Sequence, residues 1–260
     1  MIHFSHGNGF PAETYNQVIK ELKEYTDVGY ISCMGHNPEY PVVNNWSNLV
    51  DELLDHIIKH YKEPIIGIGH SFGGVISYYA CARKPELFKA VLLLDSPIYT
   101  SWKLRFISLI KALGLVEYIT PARSTRTRRV TWPSYQACLE HFATKKVFKY
   151  FDKRCLEDYV YYGTELVSAN STEVRLRFDR MIEWKIYKTL PLAIMPKLPN
   201  NIPCGLIYGR HSQVVTREDA RKMAEDYGVW TQRIDKCGHL FPFEQPDETT
   251  ANIIQFIKGF

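Results

Sequence analysis

The sequence predicts an α/β protein, built on a mainly parallel sheet that a helical insertion interrupts. Three observations carry this expectation. Short apolar runs alternate with stretches of helical spacing as far as residue 95, the pattern of a sheet covered on both faces. The run Ala90–Asp95 is apolar up to its last residue, as a central parallel strand is. The alternation then stops from residue 96 to about residue 200 and resumes at Pro203.

Taken in order, Ile2–Ser5 reads as a short strand ending in a Gly-rich turn. Residues Ala12–Tyr25 have helical spacing, with Tyr15, Val18, Ile19 and Leu22 on one side. Val28–Cys33 reads as the second strand, followed by a loop rich in Gly, Asn and Pro. The next helix carries its buried stripe on Trp46, Leu49, Val50, Leu53, Leu54, Ile57 and Ile58. Pro64–Gly69 is a strand running into Ser71, and Gly73–Arg83 is the helix after it. The stretch 96–200 is aromatic, basic and helical in period, with no strong strand, so it is expected to form a helical cap. The sheet resumes with a strand at Pro203–Tyr208, a helix at Thr216–Tyr227, a strand at Val229–Ile234 and a helix at Asp247–Ile257. The expected organisation is a core made of residues 1–95 and 201–260, with the cap inserted between.

At 260 residues and 45% hydrophobic, the chain suits one domain with a sizeable core. A net charge of +4 is too weak a bias to point to nucleic acid. No apolar run approaches the roughly 20 residues that span a bilayer, and no basic-then-apolar leader opens the chain. The six cysteines form no Cys-x-x-Cys pair, which fits free thiols in a reducing compartment. The expectation is a soluble, cytoplasmic protein acting on a small molecule, with its oligomeric state unreadable.

Three pieces of sequence carry chemistry. Gly69-His70-Ser71-Phe72-Gly73 is a Gly-x-Ser-x-Gly pentapeptide between an apolar strand and a helix, the context of a nucleophile elbow. A helix N-terminus there aims backbone N–H groups at a developing oxyanion. His6-Gly7-Asn8-Gly9-Phe10 closes the first strand and can offer a second N–H, from Asn8 or alternatively Gly9, to pair with that of Phe72. An ordinary strand-to-helix turn would read the same way. Cys237-Gly238-His239-Leu240-Phe241-Pro242 follows the last strand, where a glycine lets the imidazole of His239 swing over the serine.

Together these residues resemble the α/β-hydrolase superfamily over essentially the whole chain, and most closely its capped, esterase-like branch. The resemblance implies the α/β-hydrolase fold, with Ser71 as nucleophile, His239 as base and an oxyanion hole at Asn8 and Phe72. A dehalogenase or epoxide hydrolase would need a carboxylate at the elbow, and Ser71 argues against both. The superfamily usually opens with a β-hairpin before the oxyanion loop, so a sheet short of its first two strands is expected. The acid usually stands after the strand that ends here at Tyr208, but that stretch reads Gly209-Arg210-His211-Ser212, and a serine cannot carry the charge. Asp95 is the natural substitute, at the end of the neighbouring strand, unless it only caps the turn before Ser96-Pro97. Glu244 and Asp235 are weaker candidates.

The implied reaction is cleavage of a small carboxylic ester or thioester through an acyl-enzyme, without cofactor or metal. Hydrolysis of a C–C bond with the same triad and a ligand-binding module with degraded catalysis remain open. His36, His70 and Trp102 are candidates for substrate contact. Trp102, Phe106, Trp132, Tyr161 and Tyr162 suggest an aromatic cap interior, which core packing explains equally well. Arg123, Arg126, Arg128 and Arg129 form a basic run that is either a solvated face or a contact for an anionic group. His56 and His60 are spaced like a zinc pair, but the accompanying Glu is absent and they are expected on a solvated helix face.

Overall fold

The computed structural model describes residues 1–97, 101–192 and 196–259, apart from the side chains of residues 101–103 and 106. Trp102 and Phe106 therefore lie outside the described side chains. Chain order runs β1 (Ile2–Ser5), α1 (Asn16–Lys23), β2 (Val28–Tyr30), α2 (Ser47–His60), β3 (Ile65–His70), α3 (Phe72–Arg83) and β4 (Phe88–Leu94). The insertion contributes α4 (Ser101–Ala112), α5 (Val116–Ile119), α6 (Ala122–Thr127), β5 (Thr131–Trp132), α7 (Tyr135–Ala143), α8 (Lys153–Gly163), β6 (Thr164–Leu166), β7 (Val174–Leu176) and α9 (Arg180–Lys188). The chain then returns through β8 (Cys204–Gly209), α10 (Arg217–Tyr227), β9 (Trp230–Ile234), α11 (Phe241–Glu244) and α12 (Pro246–Ile257).

Six strands form one sheet in the order β2-β1-β3-β4-β8-β9, and every described pairing in it is parallel. On β4 the side chains alternate between two cores. Val91 and Leu93 join α2, α3 and α10 on one face, while Ala90, Leu92 and Leu94 join α1 and α12 on the other. Both faces are therefore apolar, which is why the strand reads as a continuous hydrophobic run.

Two expectations need correction. The second strand ends at Tyr30, not Cys33, because β1 offers it a partner only through the pair Phe4–Tyr30. The insertion also contains strands: β5, β7 and β6 make a separate antiparallel sheet. Each spans only two or three residues, too short for a period of two to register in sequence. Trp132 is buried in the insertion's own core, but Tyr161 faces outward at 64% exposure. Among the described residues, no helix is long and apolar enough to cross a membrane.

Candidate active site

Ser71 stands alone between β3 and α3, at φ 53° and ψ −118°. A side chain at such a φ is strained, so the surroundings must hold it. The Ser71 N–H donates to Leu94 O at 2.9 Å, tying the turn to β4. The two glycines of the motif are needed for close approach. A Cβ on Gly69 would strike the backbone of Gly73 and Gly74, and one on Gly73 would strike the carbonyl oxygens of Ser5 and His6. Phe72 opens α3, where no preceding helical turn supplies an acceptor for its N–H.

Asp95 follows β4 directly, at φ 44°, and is fully buried. Burying a carboxylate is costly unless its oxygens are satisfied. Oδ1 accepts the Gly209 N–H at 3.1 Å, while Oδ2 accepts the Ser212 hydroxyl at 2.5 Å and the ring Nδ1 of His239 at 2.6 Å. The Ser212 oxygen itself accepts the N–H groups of Val214 and Val215, at 3.0 and 3.2 Å. The residue at the usual acid position thus donates to a carboxylate supplied by the next strand. Of the weaker candidates, Glu244 lines the same cavity as His239 but accepts the Gly238 N–H at 2.8 Å. Asp235 pairs with Arg233 and Arg210.

His70 links three pieces of the site. Its Nε2–H donates to His239 O at 2.9 Å, its Nδ1 accepts the Tyr15 hydroxyl at 2.7 Å, and that hydroxyl accepts the Gly7 N–H at 3.0 Å. These partners define the neutral tautomer, and burial followed by the nearby His239 holds the imidazole well below its usual range. In the loop after β1, His6 donates from Nδ1 to Gly7 O and accepts Met34 N–H at Nε2, both at 2.8 Å. Tyr15 was legible only as part of an apolar helix stripe; no local signal announces a hydroxyl partner 55 residues away.

Ser71, His239, His70 and Asn8 all line one cavity of about 800 Å³, whose remaining wall comes largely from the insertion. No hydrogen bond joins Ser71 to His239 among the described residues; both face the same space. Asn8 Nδ2 donates to Glu183 O at 3.0 Å, tying the loop after β1 to α9. Glu183 is buried, with Arg128 as its ion-pair partner and the Thr125 hydroxyl donating at 3.3 Å. Burial pushes the Glu183 carboxyl up and Arg128 opposes that shift. Neither Glu183 nor the role of Arg128 stood out in the sequence, since their pairing crosses the insertion.

His36 does not line this cavity. Its Nε2 accepts the Asp179 N–H at 2.9 Å and its ring packs edge-on to Phe178, so it braces the loop against the insertion. His56 and His60 stack at 4.2 Å, and no metal-binding cluster of His, Cys, Asp or Glu occurs among the described residues. A second hollow of about 720 Å³, between β9 and α12, holds none of these groups.

A parallel sheet, a strained serine on a strand-to-helix turn and a histidine bonded to a buried carboxylate define the class of protein. Residues 4–252 match the model of the alpha/beta hydrolase family, and the chain belongs to that family. Among similar proteins is a Type I acyl-CoA thioesterase of Penicillium brevicompactum, 29% identical over 171 residues, 59% of this chain and 37% of that protein. The chain spans less than half the length of such fungal relatives, at 37% to 43%. An uncharacterized hydrolase of Bacillus subtilis is 26% identical over 82% of this chain and 71% of its own. A monoglyceride lipase of Rattus norvegicus is 29% identical over 46% of this chain and 43% of its own. Among solved structures, E-2-(acetamidomethylene)succinate hydrolase superposes with a TM-score of 0.77 at 16% identity, covering 99% of this chain and 91% of that one. The thioesterase domain from the curacin biosynthetic pathway gives 0.67 at 14% identity, covering 97% and 90%. At such identity these two likenesses speak to the fold alone.

Proposed function

We propose that the protein is a serine hydrolase that cleaves a carboxylic ester or thioester of a small molecule through an acyl-enzyme on Ser71. The observation that carries this reading is the 2.6 Å contact of His239 Nδ1 with buried Asp95, in the cavity that Ser71 also lines. His239 accepts the Ser71 hydroxyl proton at its Nε2 as the oxygen attacks the acyl carbon. Asp95 keeps the imidazole in the required tautomer and stabilises the imidazolium. The backbone N–H groups of Asn8 and Phe72 receive the oxyanion, each worth roughly 3 kcal/mol in the transition state. The insertion acts as a cap that closes the acyl pocket.

A ligand-binding reading drew its force from the missing acid at residue 212. The carboxylate of Asp95 beside His239 weakens it. Ester and thioester hydrolysis also accords with relatives named acyl-CoA thioesterase and monoglyceride lipase.

Intact-mass labelling with a fluorophosphonate tests the reading. Wild type is expected to take one adduct and Ser71→Ala none, while His239→Ala and Asp95→Asn label slowly. In Asp95→Asn, kcat on an ester should fall by as much as about ten-thousand-fold. A folded wild type that takes no adduct rules the proposal out.

A further inference from the structure

The cavity wall is charged unevenly. Its two carboxylates are engaged: Glu183 with Arg128 and Thr125, and Glu244 with the Gly238 N–H. At the exposed lip the balance reverses. Arg129, Lys145 and Lys146 all line the cavity and are exposed, and none has a carboxylate within 4.0 Å among the described residues. Some arginines elsewhere on the surface do find acids, Arg83 with Asp51, Arg175 with Glu165, and Arg221 with Glu218 and Glu225, whereas Arg123, Arg126 and Arg217 are exposed without one among the described residues.

Two of the lip cations, Arg129 and Lys145, lie near His141. The Arg129 guanidinium lies 5.7 Å over the Trp132 ring, and the His141 ring sits 5.4 Å from that same indole. Lys145 stands close enough to add to the fall in His141 basicity, behind burial and ahead of Arg129. Like charges gathered in this way repel, and an anion lying among them relieves the repulsion. Deeper in the cavity the wall is aromatic, from Phe10, Phe142, Phe148 and Tyr159. The cavity therefore has an apolar interior for an acyl chain and a cationic rim for whatever projects outward.

The acyl half of an ester stays on the serine, so the half at the rim is the leaving group. Clustered Arg and Lys suit phosphate oxygens, which accept both the planar fork and the point charge. We propose that Arg129, Lys145 and Lys146 form a subsite for phosphates on the leaving half, making the substrate a thioester of a phosphorylated thiol such as coenzyme A. The inference rests on the serine-hydrolase reading. Ser71 Oγ bonds to the acyl carbon, the C–S bond breaks, and the thiolate leaves with the proton that His239 took from Ser71. Water then cleaves the acyl–Oγ bond, its proton returning to Ser71 through His239.

Calorimetric titration with coenzyme A, 4′-phosphopantetheine and pantetheine tests the subsite apart from the chemistry, since none of the three is cleaved. Coenzyme A should bind at least about tenfold more tightly than pantetheine, an advantage of about 1.4 kcal/mol. A stepwise gain from pantetheine through 4′-phosphopantetheine to coenzyme A assigns the lip to the nucleotide phosphates. Equal affinity of the two phosphorylated ligands assigns it to the phosphate of the arm, as on a carrier protein. Either advantage should shrink at high salt and in Lys145→Gln/Lys146→Gln and Arg129→Gln, with the melting temperature unchanged as the fold control. Equal binding of coenzyme A and pantetheine, or affinity unmoved in the variants, overturns the subsite. Phosphonate labelling of Ser71 separates the two readings: labelling with no preference for coenzyme A sinks only the subsite, whereas preference without labelling sinks the hydrolase.

Discussion

At residue 212 the serine hydroxyl donates to the same Asp95 oxygen that His239 contacts, so Asp95, the acid of the proposed triad, and Ser212 are hydrogen-bonded neighbours. An acid moved back to residue 212 should therefore reach His239. The exchange Asp95→Ser/Ser212→Asp is expected to recover at least about tenfold of the kcat lost in Asp95→Ser alone, a small part of what a triad carboxylate contributes. Steady-state kinetics on one ester decides it, and a double variant no faster than the single one means residue 212 cannot orient the imidazole. Tyr15 offers a second test. In Tyr15→Phe the Gly7 N–H and His70 Nδ1 both lose their partner, at a cost of about 1–3 kcal/mol in urea unfolding. Because His70 also holds the His239 carbonyl, kcat should fall with little change in KM. Lower stability with unchanged kcat would make the relay purely structural.

The elbow between β3 and α3 is an element whose geometry leaves little freedom. Gly73→Ala forces a Cβ onto the carbonyl oxygens of Ser5 and His6 at the end of β1, and main chain cannot move aside as a side chain does. Destabilisation on the order of 4 kcal/mol is expected, visible as a lowered melting temperature or insoluble protein. A variant melting with wild type would show the turn to be looser than this packing implies. Long elements were legible because periodicity accumulates: α2 buries Leu49, Val50, Leu53, Leu54 and Ile57 of the stripe expected of it, although Ile58, expected with them, is exposed at the stripe's edge. The strands at Thr131–Trp132 and Val174–Leu176 were not, because pairing across 42 and 44 positions makes them strands and nothing local does.

Over the whole molecule, buried histidines tie stability to pH. Burial lowers His6 to about 4 and His3 to about 3, from an ordinary 6.5. The unfolded chain binds these protons first, so stability is full above pH 6.5 and is lost as pH falls toward 4. For His6 this amounts to about 3 kcal/mol. Glu52 acts in the opposite sense. Burial raises it to about 7 while it accepts the Gly35 N–H, so acidification through that range favours the folded state. The melting temperature should fall between pH 6.5 and 4.5, and fall more steeply in Glu52→Gln. A profile that is flat in both proteins removes the buried histidines as the cause.

What the sequence determined by itself was the fold class, the interruption after Asp95, and the placing of Ser71 and His239 at turns after strands. Each is written in neighbouring residues, as a hydrophobic period, a glycine or a short motif. Tertiary structure decided which carboxylate meets His239, what Ser212 does, how Tyr15 reaches His70, and that Arg129, Lys145 and Lys146 line one cavity. Asp95 and His239 lie 144 positions apart, and Ser212 and Asp95 117. Contacts of that range depend on how strands are ordered and helices packed, and local spacing carries no record of either.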